Sequence, residues 1–284
     1  MEKFITIGGK TFELVVLQQG GVTGVYRGNG EYVRVGEPAS ISRHLEVHTM
    51  MENAGYPVAA LLDSGTLGDK AYFIEKSLGD KSIGDNFEED WQTNGAISEE
   101  HFRELLQVVL QYAEAQMTTH TTQGPPSELA SGIFLGELCK ELPGLARKIQ
   151  SRFDEASERL SAFPFVLSHG DFNPRNLFAA GVIDLEHFFQ APFGFDLVTA
   201  LIHIDLHPDD RSYEFYARYR YSNEQKRRYF LMLDKLAAKY QLPVISAYAA
   251  DLAFLRAVWS TARMHKWPKI QKWRYDLLIQ TYFS

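Results

Sequence analysis

Asp171, Asn176 and Asp184 place two carboxylates and one amide oxygen within a span of fourteen residues. Hard oxygens in this combination suit Mg²⁺, which completes its octahedron with water and phosphate oxygens rather than with an all-protein cage. Such a set supports metal-assisted phosphoryl transfer. The surrounding sequence reads Phe165-Val166-Leu167-Ser168-His169-Gly170-Asp171-Phe172-Asn173-Pro174-Arg175-Asn176-Leu177-Phe178, then Gly181-Val182-Ile183-Asp184-Leu185-Glu186. Apolar runs at 165–167, 176–178 and 182–183 flank the polar positions, and short strands there would hold the loop rigidly.

The elements that must position this loop divide into two kinds. Residues 4–7, 11–17, 31–35, 58–63 and 71–75 are β-rich and punctuated by glycine, which predicts strands. One helix interrupts them, with Ser40 as its cap, a body over 41–53, and Gly55 and Pro57 ending it. From 80 to 95 the chain is polar, acidic and glycine-containing, as a connection would be. Ser98 then opens the clearest helix: Phe102, Leu105, Leu106, Val109, Leu110, Ala113 and Met117 recur at intervals of three and four. Further helical runs are expected over 136–160, 223–240 and 247–264. The layout predicts a β-rich lobe over 1–79 joined to a helical lobe over 80–284, with a cleft between them for a ligand.

The pattern His-Gly-Asp-x-x-x-x-Asn followed by Ile-Asp resembles the catalytic core of aminoglycoside phosphotransferases, choline kinases and related small-molecule kinases. That resemblance implies an α+β, two-lobed protein-kinase-like fold using ATP and Mg²⁺. It implies that Asp171 orients and deprotonates an acceptor hydroxyl, and that Asn176 and Asp184 hold the metal against the nucleotide phosphates. His169 would organise the loop. Asp196, in the Gly194-Phe195-Asp196-Leu197 segment, would anchor it.

The resemblance extends into the β-rich lobe. Arg34, in Glu31-Tyr32-Val33-Arg34-Val35, stands where the family carries its phosphate-binding cation, and Glu46 on the following helix would be its partner. An arginine there keeps the charge but not the reach of a lysine. Gly21 and Gly24, in Gln19-Gly20-Gly21-Val22-Thr23-Gly24-Val25-Tyr26, fall where the family places its phosphate-covering turn; a bare hairpin turn is the other reading of that stretch. Glu75 and Ser77 occupy the inter-lobe hinge, where backbone groups would read the adenine edge. The expected activity is transfer of a γ-phosphate to a small-molecule hydroxyl. A choline- or ethanolamine-type kinase and a nucleotide-binding pseudoenzyme are the alternatives, the latter because of Arg34 and the irregular glycine turn.

Composition excludes several other classes. The 284 residues carry 29 basic and 36 acidic side chains, a net charge of −7, so no general field attracts a polyanion and nucleic acid is not an expected partner. At 45% hydrophobic residues, disorder is not expected either. Cys139 is the single cysteine, which excludes an internal disulfide and fits a reducing, cytoplasmic setting. No stretch reads as a membrane span or signal peptide. Three other features invite a functional reading. His203-Ile204-Asp205-Leu206-His207 has metal-ligand residue types but no third ligand nearby in sequence. The carboxylates of Asp205, Asp209, Asp210 and Glu214 would suit a cationic acceptor, and Trp259, Trp267, Trp273 and Tyr275 could cage a quaternary ammonium; a solvated loop and core packing are the competing readings.

Overall fold

The amino-terminal strands bury alternate residues, and that alternation fixes which face of their sheet is covered. The computed structural model describes residues 2–17, 23–121, 126–263 and 267–284. Strands β1 (Phe4–Ile7), β2 (Lys10–Leu17), β3 (Gly24–Gly28) and β4 (Glu31–Gly36) are followed by helix α1 (Pro38–Asn53), then β5 (Leu61–Leu67) and β6 (Lys70–Lys76). They form one six-stranded antiparallel sheet in the order β1-β2-β3-β4-β6-β5. Phe12, Tyr26, Val33 and Ile74 belong to a small core of its own on one face. Arg34 pairs in register with Phe73, and Tyr32 with Glu75, which puts Arg34 and Glu75 on the other face, toward α1.

Helix α1 starts two residues before Ser40, with Glu37 as its cap and Pro38 in the first turn. Proline is tolerated there because its missing N–H would have no partner in any case. The acidic stretch 80–95 is a helix, not a connection: α2 (Ile83–Asn94) is closed at its start by a capping box between Ser82 and Asp85 and at its end by Gly95 in the left-handed conformation. Helix α3 (Glu99–Gln116) is capped by Ser98, as its sequence predicts. After a short helix α4 (Pro126–Gly132), the run expected over 136–160 is two pieces, α5 (Leu135–Glu141) and α6 (Ala146–Leu160), because Pro143 and Gly144 cannot continue a helix.

The short strands β7 (Phe165–Ser168), β8 (Leu177–Phe178), β9 (Gly181–Val182) and β10 (Phe189–Pro192) form two small ribbons that carry the polar loop. Helices α7 (Phe195–Ile202), α8 (Asn223–Lys239), α9 (Ala249–Ala262) and α10 (Pro268–Tyr282) complete the second lobe. A single large core joins most of them, running from Phe87 and Tyr112 through Phe172 and Phe195 to Leu255. The β8–β9 ribbon is tied to the end of α1 where the Val182 N–H donates to the Pro57 carbonyl over 2.7 Å. Gly181 permits that approach: it has φ of +151°, and a Cβ there would lie 2.1 Å from the same carbonyl. No described helix is long and apolar enough to cross a membrane.

Candidate active site

The polar loop between β7 and β8 is fixed from four directions. Asp196, in the first turn of α7 and fully buried, accepts from the His169 N–H (2.7 Å), the Gly170 N–H (3.1 Å), the Tyr112 hydroxyl (2.7 Å) and the Gln116 amide (3.0 Å). Burial pushes its pKa up in spite of these donors. The His169 Nε2–H donates to the Ile183 carbonyl (2.7 Å), and Nδ1 accepts from the Asp171 N–H (3.2 Å), so the imidazole bridges the loop to the segment that carries Asp184. Gly170 sits at φ of +80° against the His187 carbonyl, 2.1 Å from where a Cβ would be. From α2, Asp85 and Glu88 hold Arg175 at 3.4 and 2.7 Å, and Gly84 lets that helix lie against the Arg175 backbone.

The fourth support comes from α9. Arg256, 1% exposed, donates to the Gly170 carbonyl (2.9 Å) and to Asp171 Oδ1 (2.8 Å). Asn173 Nδ2 reaches the same Asp171 oxygen at 3.0 Å. Burial alone would raise the Asp171 pKa, but the Arg256 guanidinium outweighs it and holds the carboxyl far below the usual carboxylate range. Asp171 is therefore a permanently ionised acceptor in contact with a cavity of about 470 Å³.

Asn176 turns its amide nitrogen to the Asp171 carbonyl over 2.9 Å, which leaves Oδ1 for a cation. The Asn176 carbonyl accepts from the Ile183 N–H at 3.0 Å, which brings Asp184 beside it. Asp184 has φ of +69°, a left-handed backbone that costs a non-glycine residue energy and aims its side chain at the cleft. Its carboxylate lies 3.4 Å from Arg34 Nη1. A series of contacts thus runs from Arg34 to Asp184 and, through the neighbouring Ile183 N–H, to Asn176 and Asp171. One carboxylate and one amide oxygen are a fitting donor set for Mg²⁺, whose other ligands would be phosphate and water.

The partner of Arg34 is not Glu46. Glu46 is exposed on the outer face of α1, beside Ala39, Ser42 and Arg43. The helix instead presents His44 and His48 to the cleft, and the carboxylate facing Arg34 comes from the sheet: Glu75 Oε1 lies 3.6 Å from Arg34 Nε. Burial opposes the charge on Arg34, but Glu75 and Asp184 outweigh it and keep its pKa above the ordinary arginine value. Glu75 itself is pushed up by burial. Its role is thus a buried side chain, not an exposed hinge backbone. The Ser77 N–H is engaged as well, donating to the Gly30 carbonyl over 2.9 Å. Gly24 lies inside strand β3, paired with Leu17 and Val35, so it belongs to the ladder and not to the turn. Gly21 falls outside the described residues.

The other sequence features resolve into local structure. His207 Nδ1–H donates to the His203 carbonyl (3.0 Å), and both rings accept from arginines, His203 from Arg256 (3.1 Å) and His207 from Arg274 (3.3 Å). Both imidazoles are held neutral by burial, and no cluster of metal-ligating side chains occurs among the described residues. Asp205 pairs with Lys226 at 2.7 Å, Asp209 with Arg220 at 2.6 Å, and Asp210 closes a turn at Ser212. The sequence reading passed over Arg256. Its signal was present: one arginine inside the apolar run Leu252-Ala253-Phe254-Leu255-Arg256-Ala257-Val258-Trp259, where a charge persists only if it is paired.

Comparison with known proteins agrees with this geometry. Among solved structures, a choline/ethanolamine kinase family protein from Mesorhizobium loti aligns over 96% of this chain and 88% of its own, with TM-score 0.62 and 10% identity. Aminoglycoside phosphotransferase APH(3'')-Id from Streptomyces rimosus, in complex with ADP and streptomycin, aligns over 86% and 92% with TM-score 0.52 and 14% identity. A thermostable mutant of aminoglycoside phosphotransferase APH(4)-Ia, in a ternary complex with AMP-PNP and hygromycin B, aligns over 95% and 94% with TM-score 0.52 and 15% identity. At these identities the likeness establishes a shared kinase-like fold. No curated protein matches the sequence. The profile of the phosphotransferase enzyme family matches residues 25–231, a span that includes Arg34, the entire polar loop and its Asp196 anchor, and by that match the chain belongs to this family.

Proposed function

We propose that the protein transfers the γ-phosphoryl group of ATP, with Mg²⁺, to a hydroxyl of a small molecule. The observation that carries this reading is the series of contacts from Arg34 to Asp184 and, through the neighbouring Ile183 N–H, to Asn176 and Asp171 across the junction of the two lobes. In it, residues 1–79 supply the nucleotide face, with Arg34 as the phosphate cation, and residues 80–284 supply the chemistry and the acceptor pocket. The free Cys139 and acidic surface fit an ATP-rich, reducing cytoplasm.

Asp171 would accept the hydrogen bond of the acceptor hydroxyl and aim its oxygen at the phosphorus. A carboxylate held so far below its ordinary pKa is a weak base, which suits a loose transition state in which the hydroxyl loses its proton late. Asn176 Oδ1 and the Asp184 carboxylate would hold Mg²⁺, which when bound neutralises charge on the phosphate oxygens. Arg34, kept charged by Glu75, would turn from Asp184 to the incoming phosphates.

Release of ADP by the purified chain, measured across a panel of hydroxyl compounds and a Mg²⁺ titration, tests the proposal. Mg²⁺-dependent turnover that disappears in Asp184→Ala is the expected result. Nucleotide binding without turnover on any acceptor would favour the pseudoenzyme reading, and no nucleotide binding at all would overturn both.

A further inference from the structure

The cavity beside Asp171 is lined by five arginines, Arg175, Arg218, Arg256, Arg263 and Arg274, against two carboxylates, Asp171 and Glu214. Most of these charges are already matched. Arg175 and Arg218 each lie 2.7 Å from Glu88, and Arg256 lies 2.8 Å from Asp171. Glu214 is exposed, where water screens it. Arg263 and Arg274 remain, and among the described residues neither has a carboxylate within 4.0 Å.

Arg274 is the more telling of the two. It is 5% exposed and donates to the Ser260 carbonyl (2.7 Å), the Leu206 carbonyl (3.3 Å) and His207 Nε2 (3.3 Å). These acceptors supply dipoles but no counter-charge. Burial, with Arg256 nearby, draws its pKa down to about 9, so it is still a cation at neutral pH, and a buried cation without an anion is costly. Nη2 has two protons and, among the described residues, a single long contact, to His207, and the side chain lines the cavity. An oxyanion arriving there would supply the counter-charge that these acceptors do not.

Arg263 adds a second donor on the same wall. It bonds His187 Nε2 and stacks on Trp259, 4.2 Å from the ring centroid, while Arg256 stacks on the same ring at 4.0 Å. Of the two tryptophans that line the cavity, Trp259 is thus already covered by two guanidinium groups, and Trp267 meets Phe215 edge to face. Trp273 and Tyr275 do not line the cavity, and the carboxylates of Asp205, Asp209 and Asp210 are engaged elsewhere. An ammonium-bearing acceptor would meet the like charges of Arg263 and Arg274, a repulsion that rejects the wrong partner.

We propose that the acceptor is a small hydroxylated anion, a carboxylate or a phosphate ester, whose charge sits on Arg263 and Arg274 while its hydroxyl faces Asp171. This rests on the phosphotransferase reading above and names the substrate class of that same site. The fork of a guanidinium matches either oxyanion in two-point geometry. The acceptor oxygen forms its bond to the γ-phosphorus as the bridging P–O bond breaks. The bond pair leaves with ADP, and the hydroxyl proton passes by way of Asp171 to water.

The test uses the full chain saturated with AMP-PNP and Mg²⁺, so that the nucleotide site cannot take the probes. Calorimetric titration with D-glycerate, glycerol 3-phosphate, glycerol, 3-amino-1,2-propanediol, choline and kanamycin varies charge on hydroxylated frames. Binding of glycerate or glycerol 3-phosphate at least tenfold tighter than glycerol is expected, and the better of the two anions names carboxylate or phosphate. Arg263→Gln should weaken that binding about tenfold. Arg274→Lys, which keeps the buried charge and so protects the fold, should retain binding better than Arg274→Gln. Preference for choline, kanamycin or the aminodiol, equal binding of glycerol, no binding of either anion, or anion binding untouched in Arg263→Gln would each overturn the proposal. Because calorimetry reads acceptor binding without turnover, its outcome is independent of ADP release, which tests the phosphotransferase reading by itself.

Discussion

The polar loop of Asp171 and the Arg34 strand meet in one cleft but are built on different principles. The loop is over-determined: Asp196 alone accepts four hydrogen bonds, and His169, Arg256 and Arg175 each tie a different point of it to a different element. Arg34 has two ion pairs of 3.6 and 3.4 Å, one of them to a residue expected to hold metal, and in the proposed reaction it would change partners when nucleotide enters. Preorganised dipoles and fixed charges suit the place where charge develops in the reaction. A side chain that exchanges partners suits the place where a substrate arrives and leaves. The difference suggests that loss at the loop is loss of chemistry, whereas loss at the strand is loss of affinity.

The sharpest way to break that comparison is at Asp171. Asp171→Asn should keep the fold and ATP affinity and lower turnover by about 10²–10⁴-fold, the span of a positioned acid–base group. Arg256→Met should also lower turnover, with a signature that mere unfolding would not produce. Without its guanidinium the Asp171 pKa rises toward the ordinary carboxylate range, so the acid limb of the pH–rate profile should move upward. Native turnover in Asp171→Asn, or an unmoved acid limb in a folded Arg256→Met, would show that the loop is not the chemical centre.

The same comparison is sharpened at the strand by setting Glu75 against Glu46. Glu75→Gln removes the buried carboxylate opposite Arg34 and should weaken ATP binding about tenfold, or about 1.4 kcal/mol. Glu46→Gln, on an exposed helix face, should leave the affinity within about twofold. Calorimetry on the two variants decides it, and the reverse ranking would return the partner to the helix.

What the sequence made legible follows the same division. The loop is contiguous: His169, Asp171, Asn176 and Asp184 sit in one segment between short apolar runs, so spacing alone assembles them. Arg34, Glu75 and His48 are brought together by strand register and helix packing, Arg256 is brought to Asp171 by the packing of α9, and no local pattern states that Arg34 lies beside Phe73 on β6. Helix α1 was foreseen, but which of its faces meets the sheet was not. Glu46, His44 and His48 are spread around a helix of weak amphipathicity, so periodicity could not choose among them. Helix α2 was hidden because its capping box and its acidic face resemble loop chemistry until Arg175 and Arg218 are placed against them.

The smallest expected effect concerns stability and distinguishes the two regions by pH. His203 and His207 lie behind the loop, and His44 and His48 beside the strand; in all four, burial is the main cause of a lowered pKa. In each case the folded value lies below the unfolded value near 6.5, so the unfolded chain binds more protons between the two. Stability is therefore fully present above about pH 6.5 and declines as pH falls below it, by up to about 1.4 kcal/mol per pH unit for one neutral histidine. For His207, pushed down to about 3, that decline continues through the whole acidic range. His207→Gln removes the titration and keeps an acceptor for Arg274. Urea unfolding at pH 7.5, 6.0 and 5.0 should then find the native protein ahead of the variant at pH 7.5, with the gap narrowing as pH drops. A gap of constant width would mean that His207 is not the buried neutral group the packing behind the loop requires. The same narrowing in His48→Gln, but smaller, would follow from Glu52, whose charge works against the effect of burial there.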